Sequence, residues 1–175
     1  MSIENLFRLL PPPASPRENR GDWREVERTI GTVLPEDYKA FINAYGSGRI
    51  NNLLWVLNPF TPNVHLNLMD ELVTHRNNIE ALRHEFAIPF LPVFPEPGGV
   101  LPCAMTDNGD VLYWRSNGSP KEWSIVAQAS RMVEYEVFGC NLADFLVRIL
   151  TKRNACSAFP EDFCAGQANF EVKKD

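Results

Sequence analysis

Histidine and cysteine side chains are the first candidates for metal or acid–base chemistry, and this chain has three histidines and four cysteines. His75 and His84 fall nine residues apart on one predicted helix. At about 100° per residue they lie on opposite sides of that helix and cannot share a metal ion. No C-x-x-C pair completes a zinc set. We therefore expect no metal site, no cofactor and solvent-facing helix histidines. We also expect four reduced, mostly buried thiols, at Cys103, Cys140, Cys156 and Cys164.

Sequence motifs of the common enzyme classes are missing. The chain contains no G-x-S-x-G elbow, Walker loop, H-E-x-x-H pair or dinucleotide fingerprint. Gly46-Ser47-Gly48 is too short for a phosphate loop and is explained as the end of a helix. The oxygen-rich run Asp107-Asn108-Gly109-Asp110 turns back after four residues, whereas a calcium loop of the EF-hand type needs about twelve. The sequence therefore predicts a protein that is not an enzyme.

Charge is unevenly distributed along the chain, which carries a formal net charge of −5. Residues 1–50 hold seven acidic and seven basic side chains, and the acidic excess lies between Asp70 and Asp144. Such a balance argues against nucleic-acid binding, which normally requires a basic stripe. It favours a cationic partner, because complementary charges steer association. A solvated acidic face that serves only solubility is the alternative.

Five residues in this acid-rich region make up the predicted partner-binding face. Asp107 and Asp110 lie at a predicted hairpin tip, with Trp114 beyond it and Glu134 and Glu136 on a weak strand. Loops on a rigid sheet commonly carry recognition, and tryptophan is enriched among the residues that dominate binding energy. For Trp114 a place in the core is the alternative, because burying a tryptophan ring removes a large apolar area from water.

The elements that must position these residues begin with helices. Residues 2–10 predict a short helix, which Pro11-Pro12-Pro13 ends, and an extended connector continues to residue 16. A second helix starts after an N-cap at Asp22 and ends before Gly31. A third opens with Pro35 at its first helical position. Apolar residues recur on one face of both, with a spacing of three and four: Trp23, Val26 and Ile30, then Tyr38, Phe41, Ile42 and Tyr45.

The rest of the chain alternates strand, helix and strand patterns. A nearly continuous apolar run predicts one buried strand at residues 50–57, and a longer helical pattern covers residues 69–86. A proline-rich irregular run follows at residues 89–97. Asn108-Gly109 predicts a type I′ hairpin turn between strands 100–106 and 111–115. Further elements are a strand at 123–128, a weak strand at 132–136, a helix capped by Asn141 and a tail, residues 154–175, packed back on the domain.

Together these elements predict a single domain over residues 1–175 of the α+β class, with a mostly antiparallel sheet and helices packed on one side. No stretch reaches about 18 uninterrupted apolar residues, so we expect no membrane span. The N-terminus lacks the basic region and cleavage site of a signal peptide, which predicts a cytoplasmic protein.

The helical region also resembles a known family. A tryptophan and a glutamate on one helix, then G-x-x-L-P-x-D-Y-K-x-F and a glycine pair, resemble the start of the SUKH superfamily. The residues that carry the resemblance are Trp23, Val26, Glu27, Gly31, Leu34, Pro35, Asp37, Tyr38, Phe41, Tyr45, Gly46 and Gly48. The family's usual Asn-Gly-Gly ending is replaced here by Gly46-Ser47-Gly48. A later pattern at Trp55, Pro97-Gly98-Gly99 and Asp107 to Trp114 also fits, so the resemblance covers roughly residues 1–152.

The resemblance implies two functions, both without chemistry. The superfamily includes many bacterial immunity proteins, each of which would neutralise a cognate toxin, often a nuclease, by binding it. It also includes fungal cell-wall-synthesis regulators, so a regulatory protein-interaction scaffold of the same fold is the alternative. The long disordered flanks of a signalling scaffold are missing here, which favours the immunity hypothesis and a cationic toxin domain as partner. The oligomeric state stays open.

Overall fold

The computed structural model describes residues 3–85, 90–130 and 132–174. These residues form five α-helices and seven β-strands. The helices are α1 (Ile3–Leu9), α2 (Trp23–Ile30), α3 (Glu36–Tyr45), α4 (Leu68–Glu85) and α5 (Leu142–Leu150). The strands are β1 (Gly48–Ile50), β2 (Leu54–Val56), β3 (Val100–Thr106), β4 (Val111–Arg115), β5 (Ser124–Gln128), β6 (Glu136–Val137) and β7 (Phe170–Val172).

All seven strands join one sheet in the order β6-β5-β4-β3-β2-β1-β7, and every pairing between them is antiparallel. Strands β1 to β6 therefore form a meander in chain order, and the C-terminal strand β7 adds to its far edge beside β1. The predicted α+β class and antiparallel sheet are confirmed. No helix in the described part of the chain combines the length and apolarity that a bilayer crossing requires.

The sheet has helices on both faces. Consecutive strand residues point to opposite sides, and on β4 Trp114 packs edge-to-face on Tyr38 of α3, with ring centroids 4.8 Å apart. Its neighbour Tyr113 instead meets His75 of α4. Helices α1, α2, α3 and α5 share the main core with the Trp114 side, whereas Ile79 of α4 packs on the Tyr113 side. The expectation of helices on one side thus holds for four helices, whereas α4 contributes Leu68 to the main core and packs Ile79 on the other face.

The capping signals of the central helices act as predicted. The carboxylate of Asp22 accepts hydrogen bonds from the backbone N–H groups of Arg24 and Glu25, and Gly31 ends α2 with a φ of 86°. Helix α3 begins at Glu36, so Pro35 occupies the N-cap and not the first helical position. Predicted helices 2–10 and 69–86 correspond to α1 and α4; their end residues Ser2 and Phe86 lie outside the described residues, as does Pro89 of the predicted irregular run.

The prediction of one strand at residues 50–57 is wrong, because the chain folds there into the β1–β2 hairpin. Asn51 and Asn52 adopt φ values of 48° and 56° in its turn. Asparagine visits this left-handed region at lower cost than other residues with a side chain. The Asn51 side chain also donates to Phe163 O (2.8 Å) and accepts from Asn169 N (2.9 Å). Those bonds attach the tail to the turn.

The β3–β4 hairpin has its predicted strands but a different turn. Gly109 has a φ of 85°, and it is the one residue of the turn with a positive φ. The type I′ prediction, which needs two, is therefore wrong. Thr106 holds the turn instead: its Oγ1 accepts from Asn108 N (3.3 Å) and Asp110 N (3.1 Å). The weak strand predicted at 132–136 also shifts, since β6 comprises only Glu136–Val137.

The C-terminal tail packs back on the domain as predicted. Cys156, Ala158 and Phe163 are buried in the main core. The tail also forms β7, which the sequence did not predict; Gly48, Arg49 and Ile50 of β1 pair with Val172, Glu171 and Phe170. Strand β7 is three residues long, and too short for a period-two pattern to stand out.

Candidate partner-binding surface

The residues that carry the family resemblance are used inside the fold. Glu27 on α2 accepts two hydrogen bonds through Oε1, from Leu34 N (3.0 Å) and from Lys39 Nζ (3.0 Å). One carboxylate thus closes the loop between α2 and α3. Leu34 is buried, so the G-x-x-L-P segment between the helices is part of the core.

The Asp-Tyr pair of the motif connects α3 to the rest of the domain. Asp37 Oδ2 accepts from Ala143 N in the first turn of α5 (2.9 Å), where unpaired N–H groups need acceptors. The Tyr38 hydroxyl donates to Leu57 O just after β2 (2.7 Å). Burial raises the pKa of both groups. The pair therefore holds a helix and a strand in place.

Gly46 completes this structural role. A Cβ on it would lie 1.8 Å from Arg17 O, and its φ is 65°. Only glycine fits where two backbones approach this closely. The interactions of Glu27, Asp37, Tyr38 and Gly46 thus stabilise the scaffold.

Trp114, one of the five predicted partner-binding residues, has no solvent-exposed surface. Its side chain is 0% exposed and packs between Tyr38 and Trp123 in the main core. Its inclusion in the binding face is therefore wrong, and the alternative of a place in the core is confirmed. The reason is strand register: position 114 points to the face that α3 covers, which a single strand pattern does not reveal.

Asp110 and Glu136 bind backbone within the fold. Asp110 is 7% exposed; its Oδ2 accepts from Thr106 Oγ1 (2.5 Å) and its Oδ1 from Ser130 N (2.9 Å). Glu136 is half-buried and accepts from Ser157 N (2.9 Å), so it fixes the tail. The two acids thus stabilise the hairpin turn and the tail. Asp107 and Glu134 are exposed.

Asp107 belongs to a cluster that the sequence did not reveal. Trp55 Nε1 donates to its Oδ1 (2.7 Å), and Arg49 Nη1 lies 3.5 Å from its Oδ2. The Arg49 guanidinium stacks over the Trp55 ring, 5.4 Å from the centroid. Arg49 Nη2 also donates to Glu171 (2.8 Å), an interaction that helps to lower the pKa of that carboxyl after the larger effect of Lys174. All four side chains are partly exposed. From the sequence, Trp55 is predicted to lie in the core, because its neighbours along the chain are apolar.

These side chains continue across the sheet as one row. Directly paired residues of neighbouring antiparallel strands point to the same side of the sheet. Successive pairs of this kind link six residues from β7 to β5, on the face that carries α4. We call this set the transverse row: Glu171, Arg49, Trp55, Met105, Val111 and Gln128. With strands about 4.8 Å apart, its five steps span about 24 Å.

An apolar groove of about 410 Å³ begins at the far end of the transverse row, between α4 and strands β4 and β5. Val111 and Gln128 belong to both the row and the groove. Ile79 and Tyr113 are buried residues in the groove lining, and three of the lining residues are exposed apolar side chains: Leu82 (38%), Met132 (52%) and Val133 (46%).

His75 also lines this groove, and it is half-buried, so the prediction of a solvent-facing histidine is wrong here. Its Nε2 lies 3.4 Å from Glu71 Oε2 and its Nδ1 3.2 Å from the Tyr113 hydroxyl. With the Nε2 proton directed at the carboxylate, we infer that Nδ1 accepts from Tyr113. Burial lowers the pKa of His75 and raises the pKa values of Glu71 and Tyr113. The phenol therefore keeps its proton at neutral pH.

The cysteines are free, and three of the four are buried, as predicted. Burial raises the pKa of each thiol, that of Cys156 to about 12, so they stay protonated and unreactive at neutral pH. Within residues 3–85, 90–130 and 132–174, no group of three or more His, Cys, Asp or Glu side chains could hold a metal ion.

Comparison with known proteins adds one finding. A family model described as SMI1-KNR4 cell-wall (SUKH_6) matches residues 20–146, well over half of the chain. The matched region runs from just before α2 into α5 and includes the interactions of Glu27, Asp37 and Tyr38. No curated protein and no solved structure matches the chain.

Proposed function

Because the chain belongs to the SUKH family of SMI1-KNR4 type, we propose that it is a non-enzymatic binding protein of the immunity kind. It neutralises a cognate toxin in the cytoplasm by binding it and covering its active site. The observation that carries this proposal is the transverse row on the face away from α1, α2, α3 and α5, in which every side chain except the buried Val111 is partly exposed.

The dimensions and composition of the row suit a protein interface. A standard interface buries about 800 Å² on each partner, a patch roughly 28 Å across, and the row spans about 24 Å. Tryptophan, arginine and methionine are enriched in interfaces and charged residues are depleted at their centres. Trp55, Arg49 and Met105 form the middle of the row, and the acids Asp107 and Glu171 lie beside them.

The cluster around Trp55 is also held in place before any partner arrives. Its ring is bonded to Asp107 through Nε1 and covered by Arg49, and Arg49 is in turn bonded to Glu171. Ordering a flexible side chain on association costs about 0.5–1.5 kcal/mol, a cost that pre-organised side chains avoid. The arrangement therefore lowers the ordering cost of binding a partner.

The charge of the protein supports a cationic toxin domain as the partner, without direct contact to nucleic acid. The formal net charge is −5, and the exposed acids Asp107 and Glu134 border the row and the groove. A protein that acts on a polyanion presents a cationic cleft, and an acidic surface can occlude such a cleft without chemistry.

A regulatory scaffold is the second candidate, and the cell-wall description of the matching family favours it. The two functions differ in what the partner does. If the protein is an immunity factor, its co-expression with a secreted toxin encoded beside its gene should restore growth to cells that the toxin inhibits. A regulator would leave the toxin fully active and would change cell-wall assembly when it is deleted.

A charge-neutralised variant tests the surface. We expect Asp107→Asn combined with Glu134→Gln to slow association with the toxin domain about three- to tenfold at low salt and to flatten its salt dependence. The matched control is Glu161→Gln with Asp162→Asn, which removes two exposed acids from the tail. Stopped-flow association at low and physiological salt provides the measurement. Equal rates and salt slopes for both double variants would place the interface elsewhere.

A further inference from the structure

We propose that the apolar groove receives an apolar anchor side chain from a basic segment of the protein partner. This inference rests on the proposed function, because it specifies how the partner is recognised at the same face of the sheet. The occupant is a segment in which lysine or arginine flanks a leucine-like or aromatic residue.

Exposed apolar side chains are concentrated at this groove. Among the described residues seven large apolar side chains are exposed, and three of them, Leu82, Met132 and Val133, line the one groove. Leu82 comes from α4 and the other two from the segment after β5, so two separate elements contribute to the patch. Single exposed apolar residues are ordinary on protein surfaces, whereas a contiguous group marks a binding site.

The floor of the groove suits an apolar group rather than a charged one. Among the polar side chains that line it, His75, Tyr113 and Gln128 each already have a partner, since Tyr113 bonds His75, His75 faces Glu71, and Gln128 donates to Met132 O (3.3 Å). Lowering of the His75 pKa by burial keeps the imidazole neutral near pH 7. No unpaired charge therefore awaits a counter-ion there, and the groove removes apolar surface of a partner from water at about 25 cal/mol per Å².

The surroundings of the groove select a basic partner. Its flanking elements carry eight acids, and five of them are exposed: Asp70, Glu80 and Glu85 on α4, Asp107 in the turn and Glu134 after β5. The other three, Glu71, Asp110 and Glu136, contact groups within the fold. The bases of these elements among the described residues are Arg76 and Arg83, which donate to backbone carbonyls of the loop before β3, at Phe94 (3.0 Å) and Leu91 (2.6 Å). An apolar centre within an acidic border complements an apolar residue flanked by lysine and arginine.

The groove is continuous with the proposed interface. Val111 and Gln128 stand both in the transverse row and in the groove lining, so one partner that covers Trp55 also reaches Leu82. A few residues that fill well-packed, desolvated pockets usually carry most of the binding energy of an interface. The groove at the end of the row then supplies the anchor site, and the transverse row supplies the adjoining contact area.

Synthetic peptides test the inference directly on the full chain. We would titrate methyl-labelled protein with a 14-residue amphipathic peptide of lysine and leucine, with its glutamate–leucine counterpart, and with a lysine–serine peptide. We expect the lysine–leucine peptide alone to shift the methyl signals of Leu82, Met132 and Val133. Shifts elsewhere, or equal binding by the lysine–serine or glutamate–leucine peptide, would overturn the inference.

Substitutions at the groove complete the test. Leu82→Ser with Val133→Ser should weaken the lysine–leucine peptide at least tenfold. Val73→Ser is the control, because Val73 is exposed on the same helix but does not line the groove. Equal weakening by both variants would refute a role for the groove.

The same variants separate the two proposals. If Leu82→Ser with Val133→Ser still binds and neutralises the toxin as wild type does, the groove fails while the immunity function stands. If no toxin is neutralised, yet the lysine–leucine peptide binds at the groove and the double variant abolishes that binding, the groove stands and the immunity function fails.

Discussion

Replacing Tyr38 by phenylalanine tests whether the family motif acts as structure. The Tyr38 hydroxyl donates to Leu57 O over 2.7 Å, and the side chain is 0% exposed. Phenylalanine keeps the ring and its edge-to-face contacts with Trp23 and Trp114, at centroid distances of 5.8 and 4.8 Å. The substitution therefore removes one hydrogen bond and leaves the Leu57 carbonyl without that donor in a buried place.

The magnitude follows from the cost of an unsatisfied buried acceptor, about 1–3 kcal/mol of unfolding free energy. Tyr38→Ala removes the ring as well and should cost about 3–5 kcal/mol. In a chain of this size each kcal/mol lowers the melting temperature by about 2–4 °C. The phenylalanine variant should therefore unfold between wild type and the alanine variant.

Urea unfolding monitored by tryptophan fluorescence and circular dichroism measures these differences, with Val64→Ala as an exposed control expected within about 0.5 kcal/mol of wild type. Both probes must report one transition for the values to be compared. If Tyr38→Phe is as stable as wild type, the hydrogen bond contributes nothing to stability. If it is as unstable as Tyr38→Ala, the ring contacts contribute nothing. Either result would refute the structural account of the motif.

Two further predictions concern a backbone contact and a titration. Gly46→Ala should prevent folding or lower the free energy of unfolding by several kcal/mol, because the new Cβ would overlap Arg17 O. Gly31→Ala has open space around it and should cost only about 1–2 kcal/mol, for its left-handed backbone. Similar melting temperatures for the two variants would contradict this prediction. The advantage of wild type over His75→Gln in unfolding free energy should shrink as pH falls from 8 to 5. Burial lowers the His75 pKa, so the unfolded state binds the proton more readily and stability declines below the ordinary value near 6.5. Glu71, whose pKa is raised, is present in both proteins. If the difference in unfolding free energy between wild type and His75→Gln stays constant with pH, the pKa of His75 is the same in the folded and unfolded states.

Features that depend on a few neighbouring residues could be predicted from the sequence. Asp22 and Gly31 delimit α2, and Asn141 caps α5 by accepting from Asp144 N. The strands on either side of the 107–110 turn have the predicted bounds. A cap or a turn satisfies backbone groups within the same few residues, so the local sequence contains the required information.

The binding surface could be predicted only in part. Asp107 and Glu134 are exposed as expected, but Asp110 and Glu136 bind backbone atoms of residues 20 and 21 positions away. Their roles depend on where the segment after β5 and the tail pack. A local acidic pattern cannot distinguish an exposed carboxylate from one that a distant N–H group engages.

Trp55 and Trp114 show most clearly what the sequence determined and what the tertiary structure decided. Each tryptophan lies in an apolar run, so the sequence alone established that both stand on strands of a buried sheet. The register then placed Trp114 beneath α3 and Trp55 opposite Met105 and Arg49, on the other face. One ring became core and the other became surface. Exposure depends on which strands pair with each tryptophan, such as β3 with Met105 50 residues from Trp55, and on where the helices pack, and no local pattern encodes either.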